Sequence, residues 1–283
     1  MTKVGFNLLA WSAVVSEEML PVAEHLKEVG YDGIECFLGT GDAKAYQDFG
    51  REVENIDLEM TCVMTLSPGE DPISPSSKVR KKGLDRIKWA IDRADDMNAE
   101  LICGPLHSAH ANFAEKAPDE DEYKRSAEVL NRAGEYAAQA DIVLALEAVN
   151  RFECYLCNTM SQLSKLVEQI NHPNVQALFD THHANIEEKS QEEALREIAP
   201  ALGHVHISEN DRGTPGSGLV HWDEAFATLA DIDYNKWLTI EAFSRDDPGF
   251  ANSINVWREY DKAWDIAEKG YTFIKQMSKK YDL

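Results

Sequence analysis

Eight times along its length the chain alternates a short β-rich run with an amphipathic stretch, and this rhythm constrains the fold more than any other feature. Val4–Leu9 reads as the first strand. In Glu17–Val29 the side chains of Leu20, Ala23, Leu26 and Val29 fall on one helical stripe, which Gly30 ends. Gly33–Phe37 predicts the second strand, Ala43–Ile56 a weaker helix and Glu59–Met64 the third strand. Lys78–Met97 then predicts a helix with Leu84, Ile87, Ala90, Ile91 and Ala94 inward. Glu100–Cys103 is the fourth strand, Asp119–Ala140 a helix and Ile142–Leu146 the fifth strand. Thr159 with Gln162, and Ser190 with Glu193, have capping-box spacing and open helices that end near Ile170 and Ala199. Val175–Phe179, Gly203–Ile207 and Trp237–Ile240 supply the last strands. Trp222–Leu229 is a short helix and Ser253–Lys279 a long final one.

Alternating strand–helix units require a parallel sheet. Eight of them, at roughly 35 residues each, predict an α/β fold of the (β/α)8 TIM barrel type, with residues 1–283 as a single domain. A doubly wound sheet would carry a glycine-rich phosphate turn after its first strand, and neither G-x-G-x-x-G nor G-x-x-x-x-G-K-[ST] occurs. Hydrophobic residues make up 43% of the chain, enough for one large core. Lys and Arg number 28 against 50 Asp and Glu, a net charge of −22, which repels nucleic acid and anionic membrane surfaces. No apolar run approaches the ~20 residues of a membrane helix. Val4–Val15 after Lys3 faintly resembles a signal peptide, but Asn7 and Ser12 interrupt it, and a buried strand with its turn is the better reading. The odd, scattered set Cys36, Cys62, Cys103, Cys154 and Cys157 fits reduced thiols and a cytoplasmic location. Cys154-Tyr-Leu-Cys157 has redox or zinc-knuckle spacing, but no second pair completes a zinc site.

Barrel sites lie where strands end. The long polar segments Ser67–Ser77, Gly104–Pro118 and Glu209–Gly218 all follow strands and therefore share one face. The last four strands deliver, in order, Glu147, Asp180, His206 and Glu241 to that rim. Singly, such a residue caps the next helix or faces solvent. Four in succession, each closing an apolar strand, argue for a site. One imidazole and three carboxylates suit a hard divalent ion, Mn2+ first, with Mg2+ or Co2+ as alternatives; Zn2+ prefers more His or Cys. Two positions of an octahedron remain for adjacent sugar oxygens, and the ion would acidify a neighbouring C–H. His204, two residues before His206, faces the same way one layer deeper and reads as a supporting histidine. Glu153, His183 and Arg212 lie downstream of Glu147, Asp180 and His206. Each alone reads as a solvated loop residue, but together they ring the site with the donors and acceptors a polyhydroxylated ligand needs.

The segments Leu146-Glu147 through Asn150-Arg151-Phe152-Glu153, Phe179-Asp180-Thr181-His182-His183, Gly203-His204-Val205-His206 with Glu209-Asn210-Asp211-Arg212, and Ile240-Glu241-Ala242-Phe243 resemble the D-tagatose 3-epimerase / D-psicose 3-epimerase family, within the xylose-isomerase-like barrels. The resemblance implies a metal on Glu147, Asp180, His206 and Glu241, and substrate contacts from Glu153, His183 and Arg212. It puts the residues that meet the far end of the sugar near Phe6, Trp11, Cys62, Leu66 and His107. The implied reaction inverts C3 of a free ketohexose or ketopentose of the D-tagatose, D-psicose, D-fructose or L-ribulose type. Glu147 and Glu241 would act as acid and base on opposite faces through a cis-enediolate, with no redox cofactor. The rival readings are an aldose–ketose or hydroxypyruvate-type isomerase on the same metal, a metal-dependent apurinic endonuclease, which the charge disfavours, and a sugar-binding barrel without turnover. On the final helix, Trp257, Tyr260, Trp264, Ala267, Tyr271 and Ile274 recur near helical spacing, and part of that stripe could bury against another subunit in a homodimer or homotetramer.

Overall fold

The structure, a computed structural model, describes residues 2–283. Strands β1 (Lys3–Asn7), β2 (Gly33–Phe37), β3 (Glu59–Val63), β4 (Leu101–Gly104), β5 (Val143–Glu147), β6 (Val175–Asp180), β7 (Leu202–Ile207) and β8 (Trp237–Ile240) pair in chain order, all parallel, and β8 closes onto β1. This is the (β/α)8 barrel that the alternating pattern predicts. The sheath is made by α1 (Leu20–Val29), α2 (Ala43–Asn55), α3 (Ser77–Asp96), α4 (Glu120–Ala137), α5 (Met160–Ile170), α6 (Thr181–Glu187), α7 (Gln191–Ile198), α8 (Trp222–Asp231), α9 (Pro248–Ser253) and α10 (Ala263–Tyr281).

Apolar burial is concentrated between strands and helices. The α3 stripe Leu84, Ile87, Ala90, Ile91 and Ala94 is buried as its period predicts, and each large side chain in it contributes about 1.5–3 kcal/mol. Inside the barrel the apolar layer is thin: Leu9, Val63, Leu101, Cys103, Ala145 and Leu178. Above it the interior turns polar. Parallel register sets Glu35 beside Thr61 and Asp180 beside His206.

Where the observed elements differ from the sequence reading, local chemistry explains the difference. The first strand stops at Asn7 instead of Leu9, because Asn7 Oδ1 accepts from Leu9 N at 2.9 Å and caps a 3-10 turn, Leu8–Ala10. Glu17–Met19 is likewise a 3-10 turn leading into α1. Helix α6 is additional: the Asp180 carboxylate, closing β6, accepts from His182 N and His183 N and starts a helix at once. At Thr159 the reciprocal capping box forms. At Ser190 the side chain accepts from Glu193 N, but the return carboxylate is that of Glu224 in α8, which takes Ser190 Oγ–H and Glu192 N–H.

The long helix expected over Ser253–Lys279 is broken. Asn255 takes a φ of 61°, and Val256 N returns to Ala251 O at 2.8 Å, which terminates α9. Asp261 is drawn away to accept from Thr214 N and Oγ at 3.0 and 2.7 Å, and Lys262 is extended before α10 begins. Trp257 and Tyr260 therefore leave the helical stripe, and the freed segment folds over the open end of the barrel.

Candidate active site

At the C-terminal ends of β5, β6, β7 and β8, the side chains of Glu147, Asp180, His206 and Glu241 converge. Each offers one ligand atom, and the four atoms lie within 4.8 Å of one another. All four residues are buried. His206 Nδ1 stands 3.4 Å from Glu241 Oε2, 3.6 Å from Asp180 Oδ2 and 4.0 Å from Glu147 Oε1. Neither His206 Nδ1 nor Glu147 Oε1 has a hydrogen-bond partner. Two such orphaned polar atoms, buried among carboxylates, mark a place for a cation, because burying them unpaired is costly. Three carboxylates and one imidazole make that cation a divalent metal.

Asp180 divides its work. Oδ1 caps α6, while Oδ2 accepts from Ser208 Oγ at 3.1 Å and from Arg212 Nη1 at 2.9 Å. Arg212 Nη1 also lies 2.9 Å from Glu241 Oε2, so one guanidinium offsets two carboxylates. It gets there on a strained backbone: Arg212 has a φ of 63°, and its carbonyl accepts from Phe243 N. The loop is held by Glu209, fully buried, which accepts from the backbone N–H of Asn210, Gly216 and Val220 and from Trp222 Nε1.

His183 is buried against Glu147. Asn150 N donates to its Nδ1 at 3.3 Å, while Arg212 Nη2, which can only donate, faces its Nε2 at 3.0 Å; Nε2 also lies 3.4 Å from Glu147 Oε1. Burial, with Arg212 nearby, pushes its pKa down to about 3, so the neutral form holds. Glu153 accepts from Asn150 Nδ2 at 2.7 Å. Burial pushes its carboxyl up, but His110, His183 and Arg212 outweigh it and hold the group well below the usual range. Burial and the Glu241 charge raise Glu147 well above that range. For His206, burial alone would lower the pKa, but Glu241 and Glu35 hold it well above an ordinary imidazole.

These groups floor a cavity of about 560 Å3. Glu147, Glu153, His183, Arg212 and Glu241 form its polar side, while Leu9, Phe37, Val63, Phe243 and Phe250 form an apolar wall. Ile254, Val256 and Tyr260, from the segment freed by the break before α10, complete the wall. A larger groove of about 720 Å3 lies outside, between α3, α4 and α5; it is basic, open and remote from the strand ends.

All seven residues singled out from the sequence are thus brought together. The far end of the cavity, expected near Phe6, Trp11, Cys62, Leu66 and His107, is indeed built from those segments, though not from those five side chains. Those five are buried elsewhere, and their neighbours Leu9, Val63, Thr65, Pro105 and His110 line the space instead. Strand alternation is the reason: Asn7, Thr61 and Val63 point inward, so Phe6 and Cys62 point out into the sheath. Sequence reasoning also missed Glu35, Asn7 and Glu209. Their only sequence marks are a lone acid in the apolar Gly33–Phe37, an amide interrupting Val4–Leu9, and an acid in the loop after β7, none of which separates a buried role from ordinary alternation or a solvated loop.

Comparison with known proteins gives the family. Residues 23–260 match the xylose isomerase-like TIM barrel family. The L-ribulose 3-epimerase of Methylomonas sp. (strain DH-1) is 31% identical over 272 residues, covering 94% of this chain and 93% of its own. The D-psicose 3-epimerase of Agrobacterium fabrum (strain C58 / ATCC 33970) is 28% identical over 272 residues, with the same 94% and 93% coverage. A crystal structure of D-allulose 3-epimerase from Methylomonas sp. in complex with D-allulose superposes with a TM-score of 0.90 at 29% identity, covering 98% of this chain and 97% of that one. The chain belongs to the xylose isomerase-like TIM barrel family and, within it, to the ketose 3-epimerases.

Proposed function

We propose that this chain inverts C3 of a free ketohexose or ketopentose, of the D-tagatose, D-psicose, D-fructose or L-ribulose type, with Glu147 and Glu241 as the two proton-transfer groups. The observation that carries the reading is their placement: two carboxylates from β5 and β8, at the floor of one cavity, with His206 and Asp180 between them in the strand order. Glu147, Asp180, His206 and Glu241 would hold a divalent ion, Mn2+ before Mg2+ or Co2+. When bound, it supplies Lewis acidity, making the C3–H more acidic and stabilising negative charge on the neighbouring oxygens.

The side chains do the rest. One glutamate, ionised, takes the proton from C3, giving a cis-enediolate. The other, protonated, gives a proton to C3 from the opposite face, so configuration inverts with no net redox change. Burial and like charge raise Glu147 in the free protein, so as a base it would need a counter-charge beside it to stay ionised. Arg212 and His183 would hydrogen-bond the O1–O3 end and fix its orientation. Glu153 accepts from a hydroxyl at the same end. Arg212 is the only Lys or Arg lining the cavity and is already engaged by Asp180 and Glu241, which favours an unphosphorylated sugar.

A cytoplasmic location is proposed on the five unpaired, buried cysteines, and no helix among the described residues is long and apolar enough to cross a membrane. Assembly into a homodimer or homotetramer is proposed on the exposed Phe113, Phe152, Leu219 and Trp257; a monomer by light scattering would contradict it.

The functional test is reconstitution. Protein stripped with chelator should be inactive, and restoring Mn2+ should yield C3 epimers of one or more of D-tagatose, D-psicose, D-fructose and L-ribulose. Epimer formation in the stripped protein, or sugar binding with none in the restored protein, would refute the proposal.

A further inference from the structure

Directly beneath the cluster lies Glu35 of β2, fully buried and outside the cavity lining, so it touches no substrate. It has no part in the chemistry above, yet it is the most heavily hydrogen-bonded side chain in the barrel interior. Oε1 faces Asn7 Nδ2 at 2.9 Å and His206 Nε2 at 2.9 Å. Oε2 faces Thr61 Oγ1 at 2.9 Å, His204 Nε2 at 3.1 Å and Cys103 Sγ at 3.3 Å. A carboxylate only accepts, so all five partners donate.

Two consequences reach the cluster. First, His206 must carry a proton on Nε2, and the neutral ring then presents a bare Nδ1 to Glu147, Asp180 and Glu241. Second, Asn7 links Glu35 to Glu241. Its orientation is fixed because Oδ1 accepts from the Leu9 backbone N–H, so Nδ2 must be the atom facing both carboxylates. It lies 2.9 Å from Glu35 Oε1 and 3.3 Å from Glu241 Oε1, which leaves Glu241 Oε2 as the oxygen nearest His206 Nδ1.

We infer that Glu35, bridged by Asn7, is the positioning residue of this centre: it fixes which His206 nitrogen is offered to the cation and which Glu241 oxygen faces it. The inference rests on the metal reading proposed above. A glutamine at position 35 keeps the shape but turns one acceptor into a donor. If the NH2 faces His206, the ring must move its proton to Nδ1. If it faces His204, three donors lose their acceptor.

The test compares Mn2+ binding by stripped wild-type protein and Glu35→Gln, using calorimetry, with far-UV circular dichroism as the check on folding. The expected result is a folded variant whose Mn2+ dissociation constant rises about 10–100-fold. Affinity indistinguishable from wild type in a folded variant overturns the inference and leaves the metal reading standing. A wild-type protein that binds no divalent ion overturns both. Should Glu35→Gln fail to fold, histidine 15N NMR of the Mg2+-loaded wild type decides: a protonated Nε2 with a bare Nδ1 on His206 supports the inference, and a proton on Nδ1 overturns it.

Discussion

The two halves of the barrel have the same geometry and different duties. At the C-terminal ends of β5–β8 stand Glu147, Asp180, His206 and Glu241, of which Glu147 and Glu241 line the cavity. Strands β1–β4 contribute no member of that cluster. From the same interior they offer Glu35 with its donors Asn7, Thr61 and Cys103, and they reach the other half at His204, His206 and Glu241. On the proposals above, one half would supply the reactive groups and the other would decide which atoms they present. A closed barrel permits this, because residues far apart in sequence share one interior layer.

The division is broken most sharply at the reactive half. Glu147→Gln and Glu241→Gln should keep the fold and lower kcat about 10³-fold, even at saturating Mn2+. Near-normal turnover in either would show that the carboxylates on these strands do not carry the chemistry. Glu35→Gln belongs to the other half, so excess Mn2+ should restore much of its turnover, which steady-state kinetics at increasing metal would show.

Arg212→Met probes the charge on the reactive half. With the guanidinium gone, Asp180 and Glu241 stay buried without their counter-charge, and the metal-free protein should lose about 3–5 kcal/mol in urea unfolding. Added Mn2+ should stabilise this variant more than the wild type, because the cation takes over the compensation. Equal stabilisation of both would contradict that account.

His107 sharpens the contribution of the β4 side. It is buried, and its Nε2 donates to the Glu147 carbonyl at 2.9 Å. Burial pushes its pKa down to about 4, while the unfolded chain protonates at an ordinary imidazole value of about 6.5. The unfolded state therefore binds more protons between these values. Stability from this group is complete above pH ~6.5 and lost as the pH falls toward 4, by about 3 kcal/mol in all. Unfolding free energies of His107→Gln across that window should show a correspondingly flatter slope. The smallest effect belongs to neither half of the interior: Thr159→Ala removes a helix cap in the sheath, and should cost about 1 kcal/mol by urea denaturation with turnover unchanged.

The same division explains what could be read from the chain beforehand. The barrel was legible because eight units each obeyed one period, and α3 shows it residue by residue. The reactive half was legible because each polar group closes an apolar strand and so breaks the pattern at a known height. The supporting half was not. Glu35 and Asn7 sit within short strands, where a single polar residue reads as ordinary in–out alternation, and only closure of the sheet shows that both face inward. The cavity wall could be placed only to within a segment for the same reason: in a strand, one position separates Val63, in the lining, from Cys62, in the sheath. The break before α10 depends on Asp261 meeting Thr214, a contact between residues 47 apart that no local pattern encodes.

The central claim, proton exchange at C3, is tested most directly by the position of the label. The Mn2+-restored protein would be incubated in D2O with D-fructose, D-tagatose, D-psicose and L-ribulose, and the products read by NMR. The account predicts deuterium at C3 of a C3 epimer, appearing only with metal. Deuterium at C1 of an aldose product, or no exchange with any of these sugars, would contradict it.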